Sequence, residues 1–293
     1  MRIPIFTDEV EIKGGWHGSQ LDKAFARQGV EVVFVSLRDC VIDLSGPSPR
    51  IQIPHFSSTP KAAFVRGIAG GTLQQITTRL NILHMLRMQG MLIYNDAKAI
   101  ERTVDKGMTS FLLHQAGIKT PPTWVCESRS LAHGIMQTEI ISDKKQLVIK
   151  PLFGSQGQGV RLVDIPFALP MDKHVDSVFY LQTLIQSSHD YRVFVVGNQA
   201  IAAMRRSGEG WLHNVALGAN CEPIDDKAIL SLAEQAAKAL DIAYCGVDII
   251  QDADGALYVL EVNSIPAWRG LQAVTQTNIA NTLVDDFISH IQN

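Results

Sequence analysis

Two carboxylates and an amide within one hairpin constrain this chain more than any other stretch. Gly246 to Ile265 reads GVDIIQDADGALYVLEVNSI. The pattern predicts two short strands, 246–251 and 256–262, joined by an Asp-Ala-Asp-Gly turn in which Gly255 takes the positive φ such turns need. Alternation then puts Glu261 and Asn263 on one face and Leu260 and Val262 on the other, apolar one. With Gln251 opposite Ala256, Asp248 falls opposite Val259 and diagonal to Glu261, within reach of one bound ion. Two carboxylates that close repel, and one pKa rises unless a cation intervenes. An all-oxygen Asp248, Glu261, Asn263 set suits Mg2+ or Mn2+. A hairpin with a solvated acidic face would carry the same residues. The apolar context of LEVNS, with its acids on one face only, favours the metal.

The 293 residues, 46% of them hydrophobic, suffice for two or three subdomains with a sizeable core. A net charge of −3 gives no electrostatic case for nucleic acid or an anionic membrane as main partner. Anionic ligands therefore need local cationic sites. Cys40, Cys126, Cys221 and Cys245 lack CxxC or metal-ligand spacing and read as reduced thiols. The N-terminus has no signal-peptide run and no apolar stretch reaches the ~18 residues of a membrane span, so the expectation is a cytoplasmic protein.

Residues 1–95 alternate apolar runs with helical patterns, which argues an open, mostly parallel sheet. Gly14, Gly15 and Gly18 precede a predicted helix over 19–28 without forming GxGxxG; turn glycines are the better reading than a dinucleotide site. A junction over 95–100 leads into a predicted helix over 101–116 ended by Gly117, with Lys106 on it as a solvated lysine. The strand LVIK ends at Lys150. Gly154, Ser155, Gln156, Gly157, Gln158 and Gly159 come next, with main-chain N–H groups able to approach phosphate oxygens. This is no Walker loop, and an unliganded hairpin would look similar. FYLQTLI, over 179–185, reads as a buried strand whose ends could flank a planar base. DYRVFVVG sets Asp190 and Arg192 on one face, and AAMRR ends a further strand. Amphipathic helices are expected over 226–240 and 271–291.

In this order and spacing, Lys106, Lys150 with GSQGQG, FYLQTLI, DYRVFVVG, AAMRR, GVDI and LEVNS resemble the ATP-grasp ligases. Over roughly 62–290 the chain is most similar to their RimK-type branch, the α-L-glutamate ligases. FVRGIAGG, AIERTVDKGMTSFLLHQAGIKTPPT and KPLFGSQGQG look most like the tetrahydromethanopterin:glutamate ligase group. The resemblance implies an α/β fold, α+β in its ATP-grasp part. An N-terminal open parallel sheet domain, 1–96, would be followed by two ATP-grasp subdomains, 97–185 with the glycine-rich loop and 186–293 with the metal site.

By the same resemblance, ATP lies between two antiparallel sheets. Lys106 and Lys150 contact its phosphates under the 154–159 loop, and Gln182, Thr183, Leu184 and Ile185 flank adenine. Asp190 positions the nucleotide, Asn214 lies near the phosphates, and Arg192 and Arg205 face transferred phosphate or substrate. Asp248, Glu261 and Asn263 match magnesium ligands. Three departures stand out: Thr183 occupies a position that is often acidic, Leu212-His213-Asn214 replaces a more basic stretch, and the loop 264–270 lacks the usual Pro-Gly. Arg269, in that loop, is suited either to hold a substrate carboxylate or to cap the helix after it.

The implied activity is an ATP-dependent carboxylate–amine ligase working through an acyl phosphate. Its partners are small-molecule carboxylate and amine substrates, with L-glutamate as the amine and a cofactor precursor or peptide as acceptor; a homo-oligomer is compatible with the sequence. Rival readings are a kinase on the same scaffold and a nucleotide-binding regulator without turnover. The complete Asp248, Glu261, Asn263 set argues against the regulator.

Overall fold

A computed structural model describes residues 1–142, 145–154, 159–163, 178–208 and 220–292. Its first sheet is parallel, in the order Glu31–Val35, Arg2–Phe6, Ala62–Val65, Leu92–Tyr94. Apart from Arg2 and Glu31, an exposed ion pair at the start of two of them, these strands are apolar because both faces are covered. The helix Gly15–Arg27 and the C-terminal helix Ile279–Gln292 cover one face, and the helix Leu73–Met88 covers the other. The winding therefore reverses between Arg2–Phe6 and Ala62–Val65, the kind of point at whose strand carboxyl ends open α/β sheets bind ligands.

The second sheet is antiparallel: Thr123–Cys126, Phe179–Thr183, Leu147–Lys150, Arg161–Val163, with the helix Arg129–Met136 packed on it. The third has five antiparallel strands in the order Asn220–Pro223, Gln199–Ser207, His189–Val196, Tyr244–Gln251, Leu257–Asn263. On one of its faces Val193, Val195, Val247 and Ile249 pack against Ala233, Ala236 and Ala237 of the helix Lys227–Leu240. On the other, Phe194, Val196 and Tyr244 join the core of the first sheet, while Asp190, Arg192 and Asp248 stand further along. Period-2 alternation thus builds one core on each face and leaves a polar end on one of them. No helix among the described residues is long and apolar enough to cross a membrane.

Three expectations about helices need correction. The single helix over 101–116 is two, Ala97–Val104 and Lys106–Gln115, because Asp105 turns extended (φ −81°, ψ 102°). Its carboxylate then accepts from Gly107 and Met108 N–H at 2.8 and 3.0 Å as N-cap of the second helix. The tail is likewise split into Arg269–Gln272 and Ile279–Gln292. The first helix begins at Gly15, so Gly18 lies inside it rather than before it, against the Lys13 carbonyl.

Asn95, directly after the last strand of the first sheet, ties that sheet to the third. Its side chain is buried; Nδ2 donates to Tyr244 O (2.7 Å) and Ser264 O (2.8 Å), and Oδ1 accepts from Ala243 and Tyr244 N–H (3.0 and 3.2 Å). Each buried group left unsatisfied costs about 1–3 kcal/mol. Asn95→Ala should therefore lower the unfolding free energy by about 3 kcal/mol or more, measured by urea denaturation; a loss below about 1 kcal/mol would mean that the junction is held elsewhere.

Candidate active site

The acidic hairpin forms, with a different register from the one expected. Gln251 pairs with Leu257, not Ala256, and the register shifts at Asp248/Ile249, so Asp248 faces Glu261 directly rather than diagonally. One residue of the change arises at the turn and the second from a β-bulge, which leaves Leu260 without an opposite residue and re-aims the residues after it. Val259 and Val262, rather than Leu260 and Val262, consequently enter the apolar core. Asn263 pairs with Gly246 and shares a face with Glu261. Gly255 closes the turn with φ 84°.

Electrostatics around this pair are sharply divided. Burial raises the Glu261 carboxyl pKa and Asp248 adds to the rise, against Lys106, Lys150 and Arg192. Burial also works against Asp248, but Arg192 and Arg206 hold it below the usual carboxylate range. Arg192 grips Asp248 bidentately, Nε on Oδ1 and Nη2 on Oδ2, the latter at 2.7 Å. Arg206 binds Asp190 through Nε and Nη2 at 2.6 and 2.9 Å and reaches Asp248 Oδ1 at 3.1 Å. Asp190 thus acts in the cluster by fixing Arg206. Arg205, expected there, lies on the opposite face of its strand in an exposed pair with Glu222. Both arginines were visible in AAMRR; only strand pairing tells which one faces the acids.

Among the described residues no three His, Cys, Asp or Glu side chains cluster as metal ligands. The donor set is two facing carboxylates plus the Asn263 amide. It fits a hard divalent cation: no described group donates a hydrogen bond to Glu261, and carboxylate oxygens that accept from arginine retain lone pairs for a metal.

The cationic side of the cleft comes from the second sheet. The break at Asp105 makes Lys106 the first residue of its helix, half-buried, with Nζ donating to Gly154 O at 2.8 Å; it is not the solvated lysine its sequence context suggested. Lys150 donates to Gln182 Oε1 at 2.6 Å, and Gln182 in turn donates to Thr123 Oγ1 and the Tyr180 hydroxyl. Gln182 therefore acts through Lys150. Beyond it, Thr183 and Leu184 N–H are engaged by Pro122 O and Gln146 O at 2.9 and 2.8 Å, so a base at this edge would meet Ile185 and the neighbouring carbonyls. Thr183 Oγ1 is buried without a partner among the described residues. Gly154 and Gly159 bound the glycine-rich loop; Ser155, Gln156, Gly157 and Asn214 lie outside the described residues.

Arg269 is exposed at the start of the short helix Arg269–Gln272. Trp268 stands at the N-cap of that helix, and no described side chain makes a capping hydrogen bond there.

The two arginines should separate in stability measurements. Arg206→Met leaves Asp190 buried without its bidentate partner, an expected loss of about 3–5 kcal/mol, whereas Arg205→Met breaks an exposed pair contributing about 0–1 kcal/mol. Equal midpoints in guanidinium chloride would refute the assignment of Arg206 to the buried cluster.

Comparison with known proteins identifies the family and the fold. The family model for the RimK-like ATP-grasp domain matches residues 103–287. The tetrahydromethanopterin:alpha-L-glutamate ligase of Methanococcus maripaludis is 34% identical over 304 residues, covering 99% of this chain and 99% of that protein. The like-named ligase of Methanocaldococcus jannaschii is 35% identical over 215 residues, 69% of this chain and 72% of that one. In fold, the chain is similar to the ATP-grasp ligase PsnB solved with a minimal precursor, Mg and ADP: TM-score 0.73 and 19% identity, covering 100% of this chain and 98% of that one. The chain belongs to the RimK-like ATP-grasp family, and it is an ATP-dependent ligase.

Proposed function

We propose that this ligase joins the amino group of L-glutamate to a carboxylate on a small-molecule cofactor precursor, of the pterin class named for its methanogen relatives. The observation that carries the reading is the convergence on Glu261: a carboxylate facing Asp248, with Lys106, Lys150 and Arg192 close enough to act on its charge. The proposed division of labour follows the chain, with 1–96 framing the substrate side, 97–185 the nucleotide and 186–293 the metal.

Lys106 and Lys150 hold the phosphates of ATP. Burial pulls the Lys150 pKa down to about 8, with Lys106 adding to the pull, so the ammonium is poised to gain from an anionic partner. Asp248, Glu261 and Asn263 would hold Mg2+ or Mn2+, which would supply positive charge for the phosphoryl oxygens. Arg192, fixed by Asp248, faces the transferred phosphoryl group. The acceptor carboxylate attacks the γ-phosphate and displaces ADP, giving an acyl phosphate; the amine of glutamate then adds to the carbonyl, and the tetrahedral adduct loses the amine proton and expels phosphate to leave an amide. Charge builds on oxygens throughout, so side chains fixed beforehand in a half-buried cleft stabilise it without reorganising.

ADP and phosphate release should require both L-glutamate and the acceptor, and the product should gain one glutamyl mass. Release that needs a hydroxyl substrate and no amine would favour a kinase instead. Glu261→Gln keeps shape and removes charge, so turnover should fall more than about 100-fold with the fold intact. Lys106→Ala should raise the KM for ATP about tenfold, or about 1.4 kcal/mol; an unchanged value would return Lys106 to a purely structural role.

A further inference from the structure

Arg66 sits where the winding of the first sheet reverses, immediately after Ala62–Val65, and its N–H donates to the carbonyl of Phe6 on the adjacent strand. Ligands of open α/β sheets bind outside the strand carboxyl ends at such a point. The Arg66 side chain is poorly satisfied: Nη1 reaches Ile265 O at 3.4 Å, and Nε is buried with no partner among the described residues. Arg79, buried nearby, donates to Ala69 O and Gly70 O at 2.5 and 3.0 Å and is thereby accounted for as structural. A guanidinium with unmet donors calls for a ligand.

The surroundings continue the site. Arg66 lies over the Trp268 ring at 5.1 Å, and His17 packs edge-on against Trp268 at 4.5 Å, accepting from its backbone N–H. Burial, then Arg66 and Arg269, draw the His17 pKa down to about 3, and Arg269 follows Trp268 directly in the chain. On the other side stand exposed acids. Burial works against the Arg66 charge, while Tyr244, Glu9 and Asp8 support it. Asp8 lies so near that a Cβ on Gly67 would come within 2.3 Å of its Oδ1. The crevice also adjoins the phosphoryl-transfer cluster: a Cβ on Gly246 would meet Pro266 at 2.9 Å and Arg192 Nη1 at 3.3 Å, so the loop carrying Trp268 and Arg269 runs directly beside Arg192.

Two guanidiniums and two carboxylates around one crevice match a zwitterion. We propose that this crevice binds the incoming α-amino dicarboxylate, with Arg66 and Arg269 pairing its two carboxylates and Asp8 and Glu9 receiving its ammonium. This rests on the reading of the protein as a glutamate ligase.

Equilibrium dialysis of the full chain, with Mg2+ and a non-hydrolysable ATP analogue present, tests the crevice with L-glutamate, glutarate and L-glutamine. The wild type should bind L-glutamate at least tenfold more tightly than glutarate, which lacks the ammonium, or L-glutamine, which lacks one carboxylate. Arg66→Gln should weaken L-glutamate tenfold or more while leaving the analogue bound as before. Asp8→Asn, at an exposed position that spares folding, should weaken L-glutamate but not glutarate. L-glutamate binding unchanged in both variants, or a wild type indifferent among the three ligands, would overturn the proposal. Selective L-glutamate binding without amide formation would sink the functional reading alone, whereas amide formation with an unchanged KM for glutamate in both variants would sink the crevice alone.

Discussion

Two carboxylates held face to face across antiparallel strands set the terms for everything around them. Asp248 and Glu261 would repel each other in a half-buried cleft unless positive charge surrounded them, and the chain supplies it from both sides. Arg192 and Arg206 come from the same sheet and hold Asp248 ionised; Lys106 and Lys150 come from the second sheet and act on Glu261. The division leaves Asp248 paired with two arginines and Glu261 with no described hydrogen-bond donor, so the two acids differ in their surroundings despite their symmetry. Charge balance across the cleft thereby couples two sheets that share little apolar surface there.

The same sheet also ties the site to the first domain. Its Phe194, Val196 and Tyr244 are buried with the N-terminal strands, while two residues further along the same face the chain places Arg192 and Asp248. Asn95 and the loop 264–270 reinforce that contact: Asn95 accepts from and donates to main chain on both sides of the hairpin, and Trp268 is buried against Phe194 and beneath Arg66. The peptide that follows Asn263 therefore runs from the acidic hairpin to Arg66 at the end of the parallel sheet.

Local pattern carried everything that could be read from the sequence. Alternation identified the acidic hairpin, its Gly255 turn and the face shared by Glu261 and Asn263; apolar runs separated by helical patterns identified the parallel sheet; and the order of the motifs identified the family. These rest on periods of two and 3.6 residues, which a linear string displays directly. Tertiary structure alone decided which side chains meet. A one-residue shift at the turn and the bulged residue Leu260 together turned a diagonal acid pair into a facing one, and strand pairing chose Arg206 over Arg205, because one residue along a strand reverses the face. Lys106 became a cleft residue only because Asp105 left the helical conformation, and Arg66 acquired its neighbours from segments distant in sequence, His17 and Ile265 to Arg269. Such juxtapositions depend on long-range packing, whose free energy is shared among many contacts and written in no short motif.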